Sequence, residues 1–81
     1  MKEKFGFINP IVVKVEDTIV TLIRAGRKVT LLKGDIKAVR TERRAFRGHV
    51  LVIETYNKPI YLKQSEGAVR EAMKYLSKLA H

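Results

Sequence analysis

Val50-Leu51-Val52-Ile53 is an unbroken apolar run, three of its four residues β-branched, and Glu54-Thr55 extends it without a helical period. Opened by Gly48 and closed by Tyr56-Asn57-Lys58-Pro59, it reads as a strand covered on both faces and therefore central in its sheet. In a chain of 81 residues a strand of this kind constrains the rest. There is room for one domain with one small core, and the remaining segments must supply neighbours for that strand and a cover for its faces.

The other segments meet that demand. Residues 1–10 form an approach segment ending at Pro10, with Phe5 and Phe7 on alternate positions so that one side can tuck into the core. Residues 11–15 are β-branched, Glu16-Asp17 turns the chain, and residues 18–24 return as a second strand of a hairpin. Ala25-Gly26 reverses it again, Gly26 supplying positive φ without steric cost. Residues 28–33 alternate as a third strand, broken at Gly34-Asp35. Ile36 and Val39 lie three apart rather than two, which predicts a bulge or a single helical turn before extension resumes. The next strand runs to about Glu42, and Pro59 opens a short strand over 60–63.

After residue 64 the period changes. Ser65 is placed as an N-cap with Glu66 in the first turn. Val69, Ala72, Met73, Leu76, Leu79 and Ala80 then recur at steps of three and four, one apolar stripe of a helix over 65–80. The expected architecture is α+β, mainly β: a small bent antiparallel sheet or partly closed barrel of five to six strands, residues 11–63, with one C-terminal helix packed on it.

Several chemistries are excluded or weak. Without cysteine there is no disulfide, thiolate metal site or cysteine nucleophile. No apolar run approaches the ~20 residues that cross a bilayer. Gly6, Asn9 and Pro10 interrupt anything resembling a signal-peptide core, so a cytoplasmic location is the expectation. No Ser-His-Asp arrangement, paired carboxylate motif, phosphate loop or metal-ligand spacing is visible, so neither an enzyme nor a cofactor-binding protein is expected. Charged residues reach 31% while Asn is confined to Asn9 and Asn57 and Gln to Gln64, the pattern of heat-adapted proteins.

Charge is the strongest functional signal. Seventeen Lys+Arg against eight Asp+Glu give a net +9. Residues 24–47 hold nine cations and two acids. Their densest part, residues 40–49, carries four arginines, a phenylalanine and a single acid between two strands. Arginine presents a flat, permanently charged fork that matches phosphate oxygens and stacks on rings. The candidate contact residues are therefore Arg40, Arg43, Arg44, Phe46 and Arg47, with Lys28, Lys33 and Lys37 along the strands that feed the tip. Phe46 either meets bases or folds back to cap the core. Tyr56 and Tyr61 are candidate surface rings. His49, flanked by arginines, is the only residue that invites a ribonuclease reading, and one histidine is not a catalytic apparatus.

The order Val29-Thr30-Leu31-Leu32-Lys33-Gly34-Asp35-Ile36-Lys37-Ala38-Val39-Arg40, a basic tip, Val50 to Thr55, Ile60 to Lys63 and a helix resembles the small chromatin proteins of thermophilic archaea. That resemblance implies an SH3-like barrel that binds duplex DNA through a three-stranded sheet and wedges apolar side chains into the minor groove. The chain departs from it in lacking tryptophan and in its added N-terminal hairpin. The same segments, with Asp35-Ile36-Lys37-Ala38-Val39 before a hairpin, also resemble bacterial and archaeal pleckstrin-homology-like modules, with one strand fewer. Those modules are protein-interaction or lipid-facing scaffolds. The ending is similar, too, to the all-β LytTR type of DNA-binding domain.

The expected function is nucleic-acid binding, duplex DNA ahead of RNA, led by charge and shape with little sequence preference. The alternative is a pleckstrin-homology-like module whose basic loop meets acidic protein or anionic lipid. An unpaired strand edge in so small a sheet also offers a second copy a place to pair, as a homodimer.

Overall fold

The structure, a computed structural model, describes residues 1–46 and 48–80. Seven strands, a short 3-10 turn and one helix follow in order: β1 (Lys2–Phe5), β2 (Ile11–Glu16), β3 (Ile19–Arg24), β4 (Arg27–Leu32), the turn Lys33–Asp35, β5 (Ile36–Arg44), β6 (Gly48–Thr55), β7 (Ile60–Gln64) and α1 (Glu66–Ala80). They form two antiparallel sheets, β1-β2-β3-β4 and β5-β6-β7. The α+β, mainly β expectation holds at that level. A single bent sheet does not: the strands divide into two sheets, and no strand pairing among the described residues closes them into a barrel.

The approach segment is itself a strand. Lys2–Phe5 pairs with β2, from Lys2 opposite Lys14 to Phe5 opposite Ile11. Its lysines conceal it from an apolar-period reading, yet charge is what an edge strand commonly carries, because it discourages pairing with other chains. Of the two alternate phenylalanines, Phe5 packs at the core, its ring 5.7 Å from that of Tyr75, while Phe7 is fully exposed.

The two hairpin turns of the first sheet lie within a residue of the expected positions, whereas β5 begins three residues earlier and ends two later than expected. Asp17-Thr18, rather than Glu16-Asp17, joins β2 to β3, with Asp17 at positive φ. Ala25 and Gly26 are both at positive φ, the dihedral pattern of the two-residue hairpin turn that matches strand twist. Between Ile36 and Val39 the expected irregularity is a bulge rather than a helical turn, and extension begins at Ile36 instead of resuming at Val39. The 3-10 turn occupies Lys33–Asp35, ahead of β5, and the β5–β6 register shifts between Ile36 and Ala38.

The core lies where the two sheets and the helix meet. Ile11, Val13, Val20 and Leu22 come from the first sheet, Leu51, Ile53 and Leu62 from the second, and Val69, Ala72 and Leu76 from α1. Truncating one of the larger of these to alanine costs about 2–5 kcal/mol. β6 is central in its sheet, and Val50 to Ile53 are all buried. The period-2 pleat sends Leu51 and Ile53 into this core and Val50 and Val52 to the opposite face. No helix among the described residues is long and apolar enough to cross a membrane.

Candidate nucleic-acid interface

The pleat and the pairing register decide which cations share a face. On β5, Arg40, Glu42 and Arg44 alternate with Val39, Thr41 and Arg43. The first set lies on the outer face of the second sheet, away from α1. Across the strands, Arg40, Val52 and Tyr61 form one row and Glu42, Val50 and Lys63 the next. Val50 and Val52 are buried on this face between these longer neighbours.

This face is largely neutralised from within. Arg40 donates from Nε to Glu54 at 3.2 Å and from its guanidinium to Glu42. Arg44 Nε donates to Glu42 at 3.1 Å, and the Arg44 guanidinium lies 4.8 Å over the Tyr61 ring. The hydrogen bonds from Arg40, then Arg44, hold the Glu42 carboxyl below its ordinary range, and those same bonds to Glu42 and Glu54 raise Arg40. Arg40, Arg44 and Lys63 thus face two acids, Glu42 and Glu54.

The remaining sequence candidates lie elsewhere. Arg43 is opposite His49 and helps to line a cavity of about 300 Å³ with Thr41, Glu66, Val69 and Arg70 at the start of α1. Within it His49 Nε2 is 3.7 Å from Glu66 Oε2, which Arg70 also approaches at 3.6 Å. Phe46 is fully exposed at the tip rather than folded onto the core. Lys33 starts the 3-10 turn, Lys37 is exposed at the register shift, and Lys28 is on β4 in the other sheet. Arg47 lies outside the described residues. The tip and its supporting lysines therefore do not share one face. Among the described residues, no three histidine or acidic side chains converge as a metal-ligand set would.

A basic face that the charge count along the chain did not reveal lies on the outside of the first sheet. Ile11, Val13, Val20 and Leu22 point inward, so alternation sends Lys2, Lys4, Val12, Lys14 and Glu16 outward on β1 and β2. Ile19, Thr21 and Ile23 follow on β3, and Lys28, Thr30 and Leu32 on β4. The register lines them up as Lys4–Val12–Ile23–Lys28, Lys2–Lys14–Thr21–Thr30 and Glu16–Ile19–Leu32. Four lysines meet one acid, Glu16, which Lys14 approaches at 3.2 Å. Ile19 and Leu32, directly opposite each other, are 45% and 52% exposed. Lys2, Lys4 and Lys14 were missed because Glu3, Glu16 and Asp17 cancel them in a sequence window. Counting charge by strand parity would have found them: Glu3 falls on the other face and Asp17 in a turn.

Comparison with protein-family models, with curated proteins and with solved structures finds no match to this chain.

Proposed function

We propose that the protein binds nucleic acid, duplex DNA ahead of RNA and with little sequence preference, through the outer face of β1-β2-β3-β4, with the exposed tip at Arg43 and Phe46 as a secondary contact. The observation that carries this reading is the set of four lysines gathered in two adjacent rows of one sheet face that holds a single acid, with exposed Ile19 and Leu32 in the next row beside Glu16. Lysines across such a face neutralise phosphates, and exposed apolar side chains beside them meet sugars and base edges. Lys4 and Lys28 stand three inter-strand steps apart, roughly 14 Å at the backbone. That span suits contacts to both sides of a groove about 12 Å wide. Hydroxyls on Thr21 and Thr30 add uncharged donors to phosphate. The face carries no arginine, asparagine or glutamine for bidentate base reading, in keeping with weak sequence preference.

Titration of labelled duplex DNA, single-stranded DNA and duplex RNA at several salt concentrations tests the proposal. Duplex binding with a steep salt dependence, insensitive to base sequence, is the expected outcome. Equal, salt-independent retention of all three polymers, or of none, removes it.

A second reading has its own support. Seven strands in two sheets of four and three, followed by a helix, supply the strand by which the chain fell short of the pleckstrin-homology-like pattern. On that reading the lysine face meets anionic lipid or acidic protein. Co-sedimentation with anionic vesicles, without any shift of DNA or RNA, favours this alternative over the first.

A further inference from the structure

Where the two sheets fail to meet, the fold leaves a seam. β4 ends the first sheet and β7 ends the second, and among the described residues neither has a strand partner on its other side. Two cavities of about 400 and 450 Å³ run along the gap and share Val29, Pro59 and Ile60 in their walls. The floor at one end includes Leu22 and Leu62, and Leu31 continues it at the other. Each cavity has the volume of an ordinary ligand pocket, and together they follow the length of both strands.

The edge of β7 is polar and incompletely occupied. Arg24 Nε, reaching from β3, donates to the Lys63 carbonyl, so the backbone groups of Lys63 point away from β6. In an antiparallel ladder alternate residues share that direction, which turns the Tyr61 amide and carbonyl to the same free edge. Arg24, Arg27 and Lys63 surround this end of the seam and Lys58 the other, against a single acid, Asp35.

We propose that this seam is a docking groove for an extended acidic segment of another protein, which adds as a strand to the free edge of β7. Its backbone pairs with Tyr61 and Lys63, alternate apolar side chains enter the floor between Val29 and Ile60, and its carboxylates meet Arg24 and Arg27. Main-chain pairing gives such strand addition its affinity, while pockets for alternate side chains and the charges at the rim give it selectivity. Arg24, which occupies the Lys63 carbonyl in the free protein, turns to the incoming carboxylate and releases that acceptor. The site adjoins the lysine face of the proposed nucleic-acid interface only at Thr30 and uses none of its lysines.

The probe is a short peptide alternating glutamate and valine, titrated into the full chain while backbone amide resonances are followed. Two control peptides accompany it: one with lysine replacing glutamate, and one with the same charges but alternate backbone nitrogens methylated to prevent pairing. Saturable shifts centred on Tyr61, Lys63 and Val29, absent with both controls, are expected. Arg24→Glu with Arg27→Glu weakens binding at least ten-fold while leaving the melting profile close to the parent's. Val29→Glu, which puts an acid in the floor, also weakens binding, and it lowers the melting temperature because Val29 packs against the core. Equal binding of the methylated peptide means charge alone is being read and overturns the proposal. So do shifts confined to the outer faces. Sedimentation that reveals a dimer through β7, undisturbed by the peptide, assigns the edge to a second copy and also overturns it.

Discussion

Replacing Lys2, Lys4 and Lys28 together by glutamine removes the lysines of the first sheet's outer face that have no carboxylate partner, and leaves Lys14 with Glu16. If these side chains contact phosphates of duplex DNA, each accounts for about 0.9 of the slope of log affinity against log salt. The triple variant should lower the slope by roughly 2.7, so the parent loses roughly 40-fold more affinity than the variant across a four-fold rise in salt. Arg40→Gln with Arg44→Gln is the matched comparison, because both arginines already bond to Glu42 and Arg40 also to Glu54. An arginine whose charge is satisfied internally must give up that partner before it meets phosphate, so its substitution should change the slope less than one lysine does. The three lysines sit on strand surfaces, and the stability of the triple variant should stay within about 0.5 kcal/mol. The arginine pair also gives up its bonds to Glu42 and Glu54 and should melt somewhat lower. Fluorescence anisotropy with a labelled duplex measures the slopes, and circular dichroism confirms the unchanged fold. A triple variant with the parent's slope, or an arginine pair with the larger effect, refutes the assignment of the interface to this sheet.

Other expectations follow from particular contacts. Ala25 has φ 49° in the β3–β4 turn, a conformation that costs an alanine about 1 kcal/mol, so Ala25→Asn should raise the melting temperature by roughly 4–8 °C. Gly6 has φ 100°, and a Cβ there would collide with the Gln64 side chain, which itself donates to the Ile8 and Asn9 carbonyls. Gly6→Ala should therefore lower the melting temperature and accelerate amide exchange in residues 6–10. The buried Tyr75 hydroxyl has no hydrogen-bond partner among the described residues, and Tyr75→Phe should be neutral or stabilising by up to about 1 kcal/mol in urea titrations. Glu42, depressed by its bonds to Arg40 and Arg44, stabilises the fold above the ordinary glutamate range and ceases to do so as pH falls through its lowered folded value. Glu42→Gln should flatten stability against pH in that acid window and increase duplex affinity at neutral pH by removing one negative charge and releasing Arg44, while Arg40 keeps Glu54.

Much of the fold was legible because apolar alternation and helical period both follow from burial. Val50 to Ile53 announced the central strand, and Val69, Ala72 and Leu76 the helix stripe. β1 was not legible, since Lys2 to Phe5 buries little and owes its extension to pairing with β2. The separation into two sheets was also hidden. It depends on which edges fail to pair, and no local pattern in β4 or β7 encodes an absent neighbour. The candidate site was read less well for a related reason. A cluster of arginines close in sequence alternates across a strand, so Arg40 and Arg44 come to one face and Arg43 to the other, with Glu42 placed to bind the first two.

The same parity works in the opposite direction over the first strands. Residues 1–17 carry Lys2, Lys4 and Lys14 against Glu3, Glu16 and Asp17, a balance that suggests nothing to a polyanion. Pairing of β1 with β2 and β3 with β4 folds that neutral stretch so that even-numbered lysines join Lys28 on one uncovered surface. Charge density in a β-sheet protein is thus a property of register: a one-residue slip in β1 would put Glu3 among the lysines and send Lys2 and Lys4 to the other face. On the proposed interface, binding strength and fold specificity are consequently coupled. A change that loosens β1 from β2, such as breaking the mutual bonds between Met1 and Val15, should weaken polyanion binding even though it removes no cation.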